Sequence, residues 1–202
     1  MDKKIFLVGL SSFAVVGIAM LLTLFFTKPA NLRGTAYGEP YLPAPGFELT
    51  RSSGELFRLN DQRDKIVLLF FGFTYCPDVC PTTLAELNLA LKEIGEKANS
   101  VQVVLVSVDP GRDTPKKIQE YVENFNSSFI GLSGSEDELT KIWQDYGVFR
   151  EVEQSEGGPA EIYDVSHTAR VTLIDTNGNL RLSYGFQTPV EDIVNDLELL
   201  LK

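Results

Sequence analysis

Two cysteines and one histidine are the residues of this chain suited to soft-ligand or redox chemistry. Cys76 and Cys80, the only cysteines, lie in FGFTYCPDVCPTTL, residues 71–84, and His167, the only histidine, lies in YDVSHTARVTLID, residues 163–175. If a helix begins near Cys76, a four-residue spacing puts both sulfurs on one face, one turn apart. The partial positive charge at a helix N-terminus lowers thiol pKa values, so thiolates are available near neutral pH. Such a pair can close a disulfide, exchange electrons as a dithiol, or hold a metal. C-x-x-x-C alone does not choose among them. Pro77, Asp78 and Pro81 around the cysteines favour a surface turn over a packed core. Asp78 is either a candidate fourth group or a plain turn residue.

The elements that must position these residues are legible in the apolar pattern. KIVLLFFGF, residues 65–73, is a continuous apolar run, as expected of a strand buried on both faces. It leads directly into the cysteines. From Pro81 a helix is predicted, with Leu84, Leu87, Leu91 and Ile94 on one stripe. VQVVLVSVD, residues 101–109, reads as a second buried strand. DTPKKIQEYVENF reads as a helix capped by Asp113 or Thr114, with Pro115 in its first turn. SEDELTKIWQDYG reads as another, with Ser135 and Glu138 in capping-box positions. ARVTLIDTNGNLRLSYGF predicts a hairpin turning on Asn177-Gly178. FELTRSSGELFRL predicts an earlier hairpin, and PVEDIVNDLELLLK a closing amphipathic helix. The order is hairpin, β, α, β, α, α, β-hairpin, α. It implies an α/β fold, a mixed sheet covered by helices on both faces.

That order, with cysteines at the start of the helix after the first core strand, resembles the thioredoxin fold. In that fold the loop before the later hairpin faces the cysteines and carries a cis-proline; here His167 stands there. Two thiolates and an imidazole suit copper, Cu(I) through sulfur and Cu(II) with the added imidazole. Zinc would want a fourth ligand.

Three blocks taken together, FGFTYCPDVCPTTL, VSVDPGRDTPKKIQEYV and DVSHTARVTLID, resemble the Sco/SenC family of membrane-anchored copper proteins. The resemblance runs over residues 45–201. It implies a thioredoxin-like fold, copper as the bound ion, and Cys76, Cys80 and His167 as its ligands. It further implies a role in assembling cytochrome c oxidase, where the binuclear copper site of subunit II is loaded. The contribution would be delivery of copper, reduction of that site's cysteines, or both. A copper donor and a thiol reductant are then required, and the sequence does not identify them. The family often has an acidic residue just before the histidine; here Ser166 stands there and the acid is Asp164. REVEQSEGGPAEIYD, residues 150–164, is expected to be a mobile loop that swings His167. SVDPGRDTP is read mainly as structural.

The competing reading is a thiol–disulfide oxidoreductase, with Cys76 attacking and Cys80 resolving. The three-residue spacer and the histidine in place of proline count against it. A peroxidase ranks last, because Thr74 does not stand at the T-x-x-C spacing from Cys76.

Residues 5–26 carry no charge and would rise about 33 Å as a helix, enough to cross a hydrocarbon core. The expected organisation is a cytoplasmic stub at 1–4, a transmembrane signal anchor at 5–26, a linker at 27–45 and the copper-binding domain at 46–202. The domain is expected on the extracytoplasmic side, where thiols tend to oxidise. With 18 basic and 28 acidic residues, net −10, the chain has no electrostatic reason to bind nucleic acid or to lie on an anionic membrane surface.

Overall fold

The structure, a computed structural model, describes residues 31–154 and 163–201. The expected span at residues 5–26 lies outside the described residues. Among the described residues no helix is long and apolar enough to cross a membrane. Leu32–Lys202 form one compact unit.

Two fully buried strands make its centre. Strand β4, Ile66–Gly72, pairs in parallel with β5, Val101–Ser107, from Ile66 opposite Val101 to Gly72 opposite Ser107. Every residue of both strands is buried, which is why neither shows an alternating pattern. Strand β6, Ile130–Leu132, extends the parallel side beyond β5. On the other side β9, Arg170–Ile174, runs antiparallel to β4, with Val171 opposite Phe70. Strand β10, Leu180–Gly185, follows it, and β1, Thr35–Ala36, closes the edge. The register has a direct consequence for the site. The end of β4 and the start of β9 meet at one end of the sheet, so the residues just after the first and just before the second become neighbours.

The helices start where their caps require. Helix α1, Val79–Glu93, buries Leu84, Leu87 and Leu91 and packs against α4, Val190–Leu200. Helix α2, Pro115–Glu123, begins after Thr114, whose hydroxyl accepts from Lys117 N at 3.2 Å. Helix α3, Glu136–Asp145, carries the Ser135–Glu138 capping box. The β9–β10 turn uses Gly178 at φ +83°, and the Asp175 carboxylate accepts from the amides of Asn177 and Asn179. Strands β2, Glu48–Thr50, and β3, Leu56–Arg58, pair as a separate hairpin.

Three elements differ from the sequence-based expectation. The stretch read as a linker is docked from residue 32 onward. Its anchor is the fully buried carboxylate of Asp196 on α4, which accepts the amides of Arg33 and Gly34 at 2.8 Å each. Strand β6 was not expected. It is three residues long, and its Gly131 admits α2 so closely that a Cβ there would lie 2.5 Å from Ile118 O. The segment expected as a mobile loop is a strand at each described end. β7, Arg150–Gln154, pairs antiparallel with β8, Tyr163–His167, and His167 is the last residue of that arm.

Candidate metal centre

The cysteine turn begins where β4 stops. Cys76 N donates to Phe73 O at 3.3 Å, which folds the chain back before α1. Helix α1 starts at Val79, between the start considered near Cys76 and the one predicted at Pro81, so Cys76 precedes it and Cys80 sits in its first turn. Asp78 occupies the N-cap without giving a side-chain cap; its carboxylate accepts from the Thr82 hydroxyl at 3.3 Å. The cap acceptor is Cys76 Sγ, which takes a hydrogen bond from Cys80 N at 3.3 Å. A sulfur thus satisfies one of the free amides of the helix N-terminus, where negative charge is favoured.

The two cysteines are unequal, and both are free thiols. Cys80 is fully buried, while Cys76 is partly exposed. The turn through Tyr75, Pro77 and Asp78 therefore lies at the surface, and Cys80 at its end is core. Gly72 makes room for the buried sulfur, because a Cβ there would approach Cys80 Sγ to 2.8 Å. The hydrogen bond from the Cys80 thiol lowers the Cys76 thiol to about 4, against the opposing effect of burial. The His167 contact and the amides of Cys80 and Asp78 act in the same lowering direction. The same bond, with burial and the charge on Cys76, pushes the Cys80 thiol up. One thiolate beside one thiol is the resulting state.

His167 arrives from the far end of the chain, 87 residues from Cys80, and its Nε2 stands 3.9 Å from Cys80 Sγ. Its Nδ1 lies 3.0 Å from Thr168 O. A carbonyl only accepts, so that bond requires the proton on Nδ1, and in the neutral ring the Nε2 lone pair then faces sulfur. Thr168 is itself held: Phe149 N donates to its hydroxyl at 2.9 Å, and its own amide donates to Phe149 O at 3.0 Å. The imidazole meets the Phe73 ring edge-on at 5.7 Å.

The Asp109–Asp113 loop lies beneath both halves. The buried Asp113 carboxylate accepts from Thr74 N at 3.2 Å and from the Ser107 hydroxyl at 2.8 Å, and also from the Thr74 hydroxyl. Burial pushes its acid up, with these bonds opposing. The Asp109 carboxylate takes the Tyr163 hydroxyl at 2.6 Å and the Arg112 guanidinium. Burial and then the bond to Asp109 push the Tyr163 phenol up to about 12.

A metal at about 2.3 Å from a sulfur and about 2.0 Å from a nitrogen cannot span donors more than about 4.3 Å apart. The Cys80–His167 separation of 3.9 Å lies within that limit. Among the described residues no group of three or more His, Cys, Asp or Glu side chains is already gathered tightly enough to hold an ion.

The model of the SCO1/SenC family matches residues 36–202. The chain belongs to that family. A SCO2-like protein of Rickettsia prowazekii is 32% identical over 148 residues, 73% of this chain and 72% of that protein. Among solved structures, apo Sco1 of Thermus thermophilus has 40% identity and a TM-score of 0.77, covering 86% of this chain and 99% of its own. ScoI of Bradyrhizobium japonicum with copper bound has 33% identity and a TM-score of 0.70, covering 79% and 99%. The thioredoxin-like α/β architecture expected from the element order is thus the Sco fold.

Of the expected site residues, Cys76, Cys80 and His167 come together, and Asp78 behaves as a turn residue. Asp164, the acid near the position where the family often has one, is on the exposed face of β8; the imidazole is oriented by the Thr168 carbonyl. Sequence reasoning missed Gly72, Thr168, Arg112 and Tyr163. For Arg112 the signal was present, inside a block read mainly as structural.

Proposed function

We propose that this chain is a copper metallochaperone. It binds one copper ion through the Cys76 and Cys80 thiolates and the His167 imidazole, and helps assemble the binuclear copper site of cytochrome c oxidase subunit II. The observation that carries the reading is the approach of His167 Nε2 to the Cys80 sulfur across 87 residues of chain. Two sulfurs and one imidazole are a soft donor set of the kind that selects copper, and copper-bound ScoI of Bradyrhizobium japonicum has the same fold. The oxidase partner is what membership of the family implies. Copper here is cargo. Three donors leave the ion open to attack by an incoming ligand, so it can pass to a partner site by stepwise exchange. The same reading takes residues 5–26 as the anchor and places the domain on the extracytoplasmic side.

The deciding experiment is an anaerobic copper titration of the reduced, detergent-solubilised chain beside its His167→Ala variant. One tightly bound copper per chain is expected, weakened at least about a hundredfold in the variant. No stoichiometric copper in the parent chain overturns the reading.

A second reading is favoured by the inequality of the cysteines. Cys76 is the accessible thiolate and Cys80 the buried thiol beside it, the arrangement of an attacking and a resolving cysteine. Reduction of a partner's disulfide would move two electrons to the partner and leave Cys76 and Cys80 joined by a disulfide. That oxidised chain has lost both thiolates, so copper should be released on oxidation and rebound on reduction.

A further inference from the structure

We propose that Arg112 is a positioning residue for this site. Its guanidinium joins the cysteine turn to the histidine arm and so sets where His167 stands relative to the two sulfurs. The consequence for metal rests on the copper reading above; the positioning itself is a property of the metal-free chain.

The arm formed by β7 and β8 needs such a partner. A lone two-stranded hairpin is marginal in water. This one also places Glu153 directly opposite Asp164, both exposed, and like charges across a strand pair are destabilising. Its position must come from contacts on its other face. At the root, Arg150 donates to Val108 O and pairs with Glu136 at 2.9 Å. Four residues before His167, about 13 Å along the strand, Tyr163 makes the other anchorage.

Arg112 is the centre of that anchorage. Its Nη1 donates to Tyr163 O at 3.0 Å, and its guanidinium carbon lies 3.8 Å from the Tyr163 ring centroid. The Asp109 carboxylate holds the Arg112 Nε on one oxygen and the Tyr163 hydroxyl on the other. Gly111 lets Tyr163 lie across the loop, since a Cβ there would come within 2.9 Å of the phenol oxygen. The same guanidinium lies 4.9 Å from the Tyr75 ring and 5.8 Å from the Phe73 ring. Tyr75 adjoins Cys76, and Phe73 packs T-shaped against the imidazole. One contact thus runs along β8 to His167, and another runs through Phe73 to the same ring. A lysine would keep the charge but lose the planar fork and the stacking that make both.

The test uses the full chain, reduced and detergent-solubilised, as Arg112→Lys and as Tyr163→Phe, which removes a single oxygen. Because His167 is the only histidine, isotope-labelled histidine gives one imidazole signal, free of metal. In the parent chain that signal should show proximity to the Phe73 ring protons. In each variant it should move and lose that proximity while the thermal unfolding transition remains cooperative. Copper(I) affinity, read by competition with a chelator, should fall about tenfold. If Arg112→Lys fails to fold, Tyr163→Phe decides alone. An imidazole signal unchanged in the folded variants overturns the proposal. So does an imidazole that moves with no change in copper affinity. A parent chain that binds no copper would defeat the metallochaperone reading but leave the imidazole comparison standing.

Discussion

The Nδ1 of His167 is bonded to the carbonyl of the next residue, Thr168, at 3.0 Å, and this fixes which nitrogen faces the sulfurs. The donor is chosen by backbone geometry, with no acidic side chain involved. Metal-bound histidines commonly give their second N–H to such an acceptor, which is the arrangement the proposed copper ligation would use. The neutral imidazole of the metal-free chain should therefore carry its proton on Nδ1. Nitrogen-15 spectra of histidine-labelled protein at alkaline pH report this directly. A dominant Nε2-protonated form would contradict the assignment.

Cys76 should behave as a thiolate well below neutral pH. Its thiol is lowered to about 4, first by the bond from Cys80. An acid with a depressed pKa is ionised at every pH above that value. Its alkylation rate in the reduced chain should be nearly flat from about pH 5.5 to about 8, where an ordinary cysteine speeds up about tenfold per unit. Cys80→Ala removes the first cause of the shift while the His167 contact and the backbone amides remain, so the flat region should begin at a higher pH. Mass spectrometry after brief iodoacetamide treatment separates the two sites, and buried Cys80 should remain unlabelled.

Gly72→Ala should cost about 1–3 kcal/mol of stability, the usual range for overpacking a core. The added methyl would lie 2.8 Å from Cys80 Sγ and 3.1 Å from Leu105 Cδ1. The neighbour most easily displaced is the sulfur, so copper affinity should fall along with the unfolding midpoint. An unfolding midpoint equal to that of the parent chain would show that the space beside Cys80 is not tight.

Asp113→Ala should free the cysteine turn from the sheet. The Thr74 amide, the Thr74 hydroxyl and the Ser107 hydroxyl would lose their shared acceptor. Stranding partly buried donors costs about 2–4 kcal/mol here, measurable by urea denaturation. Hydrogen exchange at the amides of Thr74 and Cys76 should accelerate more than at β5. Uniform acceleration across the sheet would mean that Asp113 serves global stability and not the turn.

Much of this protein was determined locally. Residues 66–72 are apolar throughout, and 101–107 apart from Gln102 and Ser107, because a strand buried on both faces has no solvent face to alternate with. Ser135 and Glu138 mark the start of α3 because a capping box is made by neighbours in sequence. Cys76, Cys80 and His167 stood out by residue type alone, since few side chains offer soft sulfur or imidazole donors.

What only the tertiary structure decided was the relation between distant parts. The antiparallel register of β9 on β4 brings His167 beside Cys80, and no spacing in the chain encodes that distance. The burial of Cys80 depends on the absence of a side chain at Gly72, eight residues earlier on another element. Leu32 to Ala36 look like linker because their anchor, Asp196, lies at the opposite end of the sequence. The β7–β8 arm looks like a loop because its strands are polar and charged, and its position is set through Arg112 and Tyr163. Periodicity reports how a segment meets solvent. It carries no record of which remote side chain completes a hydrogen bond, and those bonds bring Cys76, Cys80 and His167 together.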